Sequence, residues 1–161
     1  MPTNTSDREV LGFDPVRDVE DFHRKFGISY AGKPRSLGFE LSQFRSKFMR
    51  EEITEYERDS DSLDFELTIQ DYSPNQVMDQ MSRTLDALVD LVYVALGTAH
   101  LHGFDFRAAW VKVHAANMAK EIDGEATSAE SRMKLKLKKP PDWQPPDHSD
   151  LVRDHAHRAK P

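Results

Sequence analysis

Four glutamates fall within seven residues of the stretch MREEITEYE, at positions 51, 52, 55 and 57. A helix advances roughly 100° per residue, so their directions can be read on a wheel. With Leu41 as origin, Phe44, Phe48, Glu52 and Glu55 all lie within about 60° of it. Glu52 and Glu55 thus continue an apolar stripe toward the bundle interior, with Glu51 at its edge and Glu57 pointing away. A second acidic pair, Asp86 and Asp90, stands one turn apart in LDALVDLVYVALG. Aspartate there has poor helix propensity and poor solvation. Taken singly, such groups are most simply partners of Arg or Lys on a neighbouring helix. Two acidic patches on different helices, however, repel each other unless they share protons or a divalent cation. Hard oxygen donors in that number suit Mg²⁺, or Mn²⁺.

A third group differs in chemistry. Phe106, Trp110 and Val113 form a stripe that Asn117 and Lys120 continue, so an amide and an ammonium end an apolar face. They could reach a ligand; a lysine extending off a helix end toward its negative pole is the plainer account of Lys120.

Helices must position these groups. Asp14-Pro15 reads as an N-cap followed by proline at the first helical position, and Gly27 as a stop. A second helix is expected from about 39 to 58, followed by an acidic connection, DSDSLDFELTIQDY. Ser73-Pro74-Asn75-Gln76 is a capping box that opens a long helix ending at Gly103. Asp105 caps a fourth helix running to about Glu121. After Asp123-Gly124 the chain carries five of its nine prolines. That tail, about 123–161, is expected to lie over the bundle, anchored by Trp143 and by Leu135 or Leu137, with a short strand in MKLKLK. With no strand set able to form a sheet, an all-α antiparallel four-helix-bundle-like fold is expected, a single domain over 1–161 with its helical core at about 14–122.

In order along the chain, EEITE, DALVDLVYVALGTA and VHAANMAK resemble the motifs of the all-α nucleoside triphosphate pyrophosphohydrolase superfamily. That superfamily holds MazG-like proteins, dimeric dUTPases and phosphoribosyl-ATP pyrophosphohydrolase. DFHRKFG and KKPPDWQPPD are similar to segments of small MazG-like members, so the resemblance spans roughly 15–148. It implies a MazG fold and hydrolysis of a (d)NTP to the monophosphate and diphosphate by metal-activated water. Glu51, Glu52, Glu55, Asp86 and Asp90 would hold Mg²⁺, and Glu51 or Glu52 would take the proton of the attacking water. Asn117, Lys120, Lys134 and Lys136 would bind the nucleotide. One position departs from the pattern: the family places an acid three residues before Asp90, where this chain has Ala87, with Asp86 as the nearest substitute. Phosphoribosyl-ATP hydrolysis, or a non-catalytic helical metal-binding or interaction protein, are the alternatives.

The bulk composition narrows the field. The chain has 161 residues, a net charge of −6 and no cysteine. That excludes a disulfide scaffold or thiolate metal site and argues against a general nucleic-acid binder. No apolar run is read as reaching membrane-spanning length, and no signal pattern opens the chain. A cytoplasmic location is expected, in the host cytoplasm if the source is a phage. His155 and His157 are weak candidates for metal; His23 and His114 read as ordinary helix residues, and Glu57 and Asp59 as an ordinary solvated face. The long helix, about thirty residues or roughly 45 Å, carries more apolar surface than three neighbours can cover. A homodimer or homotetramer is therefore expected.

Overall fold

The structure is a computed structural model that describes residues 12–69, 73–122 and 137–153. Its helices are α1 (Pro15–Lys25), α2 (Phe39–Ile69), α3 (Pro74–His102), α4 (Phe106–Met118) and the short α5 (Ser149–Val152). A two-stranded antiparallel ladder, β1 (Glu121–Ile122) with β2 (Leu137–Lys138), is the sheet found among the described residues. The fold is all-α and bundle-like with an irregular tail. The chain divides into two compact units, Met1–Gly103 and Phe104–Pro161.

In the first unit the expected caps are in place. Asp14 accepts the backbone N–H of Arg17 at 3.2 Å, with Pro15 opening α1. Ser73 and Gln76 form the reciprocal capping box that starts α3. Gly103 ends α3 at φ 71°, a left-handed conformation that suits a residue without a Cβ. Arg35 then satisfies two carbonyls at that end, its backbone N–H reaching His102 at 2.9 Å and its Nε reaching Leu101 at 3.1 Å.

α2 corrects one expectation. It runs on to Ile69, through the acidic segment read as a connection. Asp59, expected on a solvated face, is buried there. Its carboxylate takes Arg58 Nε at 2.9 Å, and its carbonyl takes the buried Gln80 Nε2 at 2.7 Å. Arg58 holds the Asp59 carboxyl below the usual carboxylate range. These paired polar groups let the helix continue where apolar content is thin.

α2 and α3 pack antiparallel. Early on α2, Arg45 donates to the Val94 carbonyl at 2.8 Å and to Thr98 Oγ1 at 3.0 Å, late on α3. Further along α2, Asp59 meets Gln80, early on α3. α1 lies against α3, burying Val19 to 1% exposure. Gly97 marks the closest approach. A Cβ there would stand 2.9 Å from His23 Cε1 and 3.1 Å from Arg45 Nη2. Gly97→Ala is therefore expected to destabilise the fold by about 1–3 kcal/mol despite alanine's better helix propensity. A urea unfolding midpoint at or above that of the wild type would show that the seam has room.

α3 also corrects the membrane expectation, because by length and composition it is apolar enough to cross a bilayer. Only 17% of that apolar window is buried within the chain. Leu96 and Leu101 are covered, whereas Met78, Met81, Leu85, Leu88, Val89 and Val92 are exposed. The helix thus has one face seated on its own unit and one apolar face open.

The second unit has its own local logic. Asp105 accepts the N–H of Ala108 at 3.0 Å and caps α4, which ends at Met118 rather than near Glu121. Trp143 is a tail anchor, as expected: its indole N–H satisfies the Ala116 carbonyl at 2.7 Å, near the end of α4. Leu137 is exposed and does not share that role. It sits in β2, at the end of the MKLKLK alternation, and the rest of that alternation, with Leu135, lies outside the described residues.

Candidate active site

The acidic residues of the first unit sit on the facing helices α2 and α3. Glu52 is half-buried, while Glu51, Glu55, Asp86 and Asp90 are exposed. The inner seam of α2 is therefore narrower than the wheel implied. Phe44 and Glu55, both placed on its stripe, lie at its open edge. The reason is the partner: among the described residues α3 is the helix packed most extensively on α2, and one helix cannot enclose a stripe about 120° wide.

Four of the five carboxylates nevertheless act on the fifth. Burial pushes the Glu52 carboxyl above the usual range, and the negative charges of Glu55, Asp90, Glu51 and Asp86 push it further, in that order. Those four groups come from two helices, so the antiparallel packing of α2 on α3 is what gathers them. Protein cations do little to offset this. Lys47 reaches Glu51 at 3.3 Å between exposed side chains, a pair that solvent screens. Arg45, the cation placed deepest in the α2–α3 seam, is engaged by a carbonyl and a hydroxyl instead.

Ala87, which takes the place of the family acid, is 3% exposed. It lies on the face of α3 that its own unit covers. Asp86, one residue earlier, is rotated by about 100° into the open and contributes to the field at Glu52. An acid at 87 would point into the seam, whereas Asp86 joins the cluster from its rim.

The donor set is chemically suited to a hard divalent cation: every group is a carboxylate, and their mutual repulsion is what such an ion would relieve. Among the described residues, however, no three carboxylates or imidazoles are drawn close enough to form a ready-made cage.

Asn117 and Lys120 belong to the second unit, where Lys120 Nζ donates to Asn117 Oδ1 at 2.8 Å. The amide and the ammonium expected to reach for a ligand are thus hydrogen-bonded to each other. Lys134 and Lys136, and likewise His155 and His157, lie outside the described residues.

Sequence reasoning passed over Arg45 and His23. Arg45 falls about 40° from Leu41 on the wheel, so its place in the seam was readable. His23, taken as ordinary, is buried against α3.

No curated protein matches the chain. A family model described as phosphoribosyl-ATP pyrophosphohydrolase matches residues 19–117, which takes in most of α1, all of α2 and α3, and α4 as far as Asn117. The five acidic residues and the capped helices that carry them all lie within this match. The chain therefore belongs to the phosphoribosyl-ATP pyrophosphohydrolase family, within the MazG-like all-α NTP pyrophosphohydrolases, and is a nucleotide pyrophosphohydrolase that cleaves phosphoanhydride bonds.

Proposed function

We propose that the enzyme converts a nucleoside or deoxynucleoside triphosphate to the monophosphate and diphosphate, with Mg²⁺ held among Glu51, Glu52, Glu55, Asp86 and Asp90. The observation that carries this reading is the field at Glu52, where four carboxylates from two helices act on a half-buried fifth. A triphosphate carries about four negative charges, which such a surface repels unless cations stand between them. The bound ion supplies that neutralisation and polarises the phosphoanhydride. Mn²⁺, with similar ligand preference, is expected to substitute.

Glu52 is the stronger candidate for the proton acceptor. Its raised pKa brings it nearer to neutral pH, where a general base works best. Glu51, already engaged by Lys47, serves as a ligand or as the alternative base. Asn117 and Lys120 contribute an amide for sugar or base and an ammonium for phosphate oxygens. Lys134 and Lys136 are proposed for the same phosphate role. The enzyme acts in the cytoplasm as a homodimer or homotetramer, joined through the open apolar face of α3.

A second reading is favoured by the family model itself, whose description names phosphoribosyl-ATP as substrate. Both substrates present an α–β phosphoanhydride beside a ribose, so the same acids serve either. Diphosphate release should be measured across ribo- and deoxyribonucleotides and phosphoribosyl-ATP, with Mg²⁺, with Mn²⁺ and after chelation. Preferential turnover of phosphoribosyl-ATP would replace the first reading with the second. Full activity in chelator would remove the metal from both.

Asp86→Ala tests the displaced acid in the same assay. Losing an oxygen ligand should raise the Mg²⁺ concentration for half-maximal rate about tenfold or more. An unchanged metal titration would return Asp86 to a surface role.

A further inference from the structure

Three nitrogen-bearing side chains converge on the α3 backbone at Gly97. His23 of α1 is 3% exposed, and its Nδ1 is buried with no hydrogen-bond partner among the described residues. Its ring stacks on His100 of α3, with centroids 5.0 Å apart and planes inclined by 23°. Arg45 reaches the same glycine from α2, so a Cβ on Gly97 would touch both His23 and Arg45. The guanidinium's partners there, the Val94 carbonyl and the Thr98 hydroxyl, are neutral.

The tautomer of His100 follows from its own bonds. The backbone N–H of Tyr30 approaches His100 Nε2 at 3.1 Å, and Ser29 Oγ stands at 3.1 Å from the same nitrogen. An N–H can only donate, so that nitrogen accepts and carries no proton. Asp18 and Tyr93 are titratable groups that also lie along the α1–α3 seam. Asp18 acts on Tyr93, raising its hydroxyl further after burial has done so. Neither is among the groups acting on His23; those that do, His100 and Arg45, are both bases. An unpaired buried donor or acceptor is costly, and a buried cation beside a second cation is more so.

We propose that His23 is an acid-sensitive latch: docked α1 accommodates only the neutral imidazole, and protonation of this ring releases α1 from the α2–α3 pair. Burial first, then His100 and Arg45, hold its pKa below the ordinary histidine value. The sign follows from linkage. Released α1 takes a proton below about pH 6.5, whereas docked α1 does not. The stability of docking is therefore fully present above that pH and is lost as pH falls toward the depressed value of the docked ring. In the docked state a groove of about 410 Å³ lies between α1 and α3, where Pro15 and Asp18 face Val89, Val92 and Tyr93, and release takes away its α1 wall. The inference stands on the α1–α3 seam and does not depend on which nucleotide is hydrolysed.

Hydrogen exchange of the α1 amides between pH 7.5 and 5, corrected for intrinsic rates, tests it on the full chain. Protection of α1 relative to the middle of α3 should be constant above about pH 6.5 and fall about tenfold per pH unit below it, as linkage to one proton requires. His23→Gln should abolish that slope. His100 is retained in this variant, so a slope that survives there would assign the effect to His100 and overturn the proposal. Should His23→Gln fail to fold, ring NMR of the wild type decides. A His23 ring that remains neutral below pH 6 while α1 is protected supports the latch. Protonation at or above pH 6.5 with α1 still docked overturns it.

Discussion

Glu52→Gln is expected to lower diphosphate release by about a hundredfold or more while leaving the protein as stable as before, or more so. Substitutions outside a metal's direct ligand set already cost about 10–100-fold, and Glu52 is proposed both as ligand and as proton acceptor. The amide keeps the shape of the side chain but neither binds a hard cation well nor takes a proton. The stability half of the expectation has the opposite sign for a physical reason. The Glu52 carboxyl is held above its usual pKa by burial and by four carboxylates. Folding therefore favours its protonated form; that contribution is present below the ordinary glutamate range and is lost as pH rises through the raised value. At neutral pH the ionised group opposes the fold, and glutamine removes the opposition. Wild-type thermal stability should fall across that pH interval in the absence of divalent metal, whereas Glu52→Gln should be flatter. Asp90→Asn should behave likewise from the facing helix. Near-normal turnover of either variant at saturating Mg²⁺ would take the site away from this cluster.

The second large effect concerns assembly. Met78 and Leu85 are each 62% exposed, and Met81, Leu88, Val89 and Val92 continue the same open surface along α3. A monomer rarely leaves so many large apolar side chains exposed in one row. A second copy offering the same face buries both at once, as a two-fold interface requires. Each methionine so buried is worth about 1.5–3 kcal/mol. The double substitution Met78→Glu, Met81→Glu should therefore weaken association by at least about a hundredfold, since each 1.4 kcal/mol is about a factor of ten. Light scattering at low micromolar concentration should find the wild type dimeric or larger and the variant monomeric. Because these two residues lie away from the acidic positions, the helical signal should survive. A wild-type protein that is monomeric and fully active would contradict the burial argument.

The helix punctuation was legible because it is local chemistry. Asp14-Pro15, the Ser73–Gln76 box, Gly103 and Asp105 each satisfy or end a helix terminus within a few residues of themselves, so the sequence alone specifies them. The acidic residues were legible too, because carboxylates spaced at helical intervals beside an apolar stripe have few uses. The end of α2 was not. The segment DSDSLDFELTI is acidic and thinly apolar, and what keeps it helical is Gln80 on α3 reaching the Asp59 carbonyl from another part of the chain. Helix propensity sees neither partner.

The proposed site divides along the same line. Its membership, Glu51, Glu52, Glu55, Asp86 and Asp90, rests on residue type, spacing and the family resemblance. How deeply each carboxylate sits came only from the packing of α3 on α2, which half-buries Glu52 and leaves Glu55, Asp86 and Asp90 at the open edge. Ala87 was visible as a missing acid, but only the fold turns that position into the seam and leaves Asp86 on its rim. His23 shows the limit most plainly. In sequence it is one histidine on an amphipathic helix. Its burial, its ring stacked on His100 and its approach to Arg45 come from three helices meeting at Gly97, a residue whose missing side chain makes the space. Spacing along one helix fixes which way a side chain points, but the environment it points into is made by chain dozens of residues away.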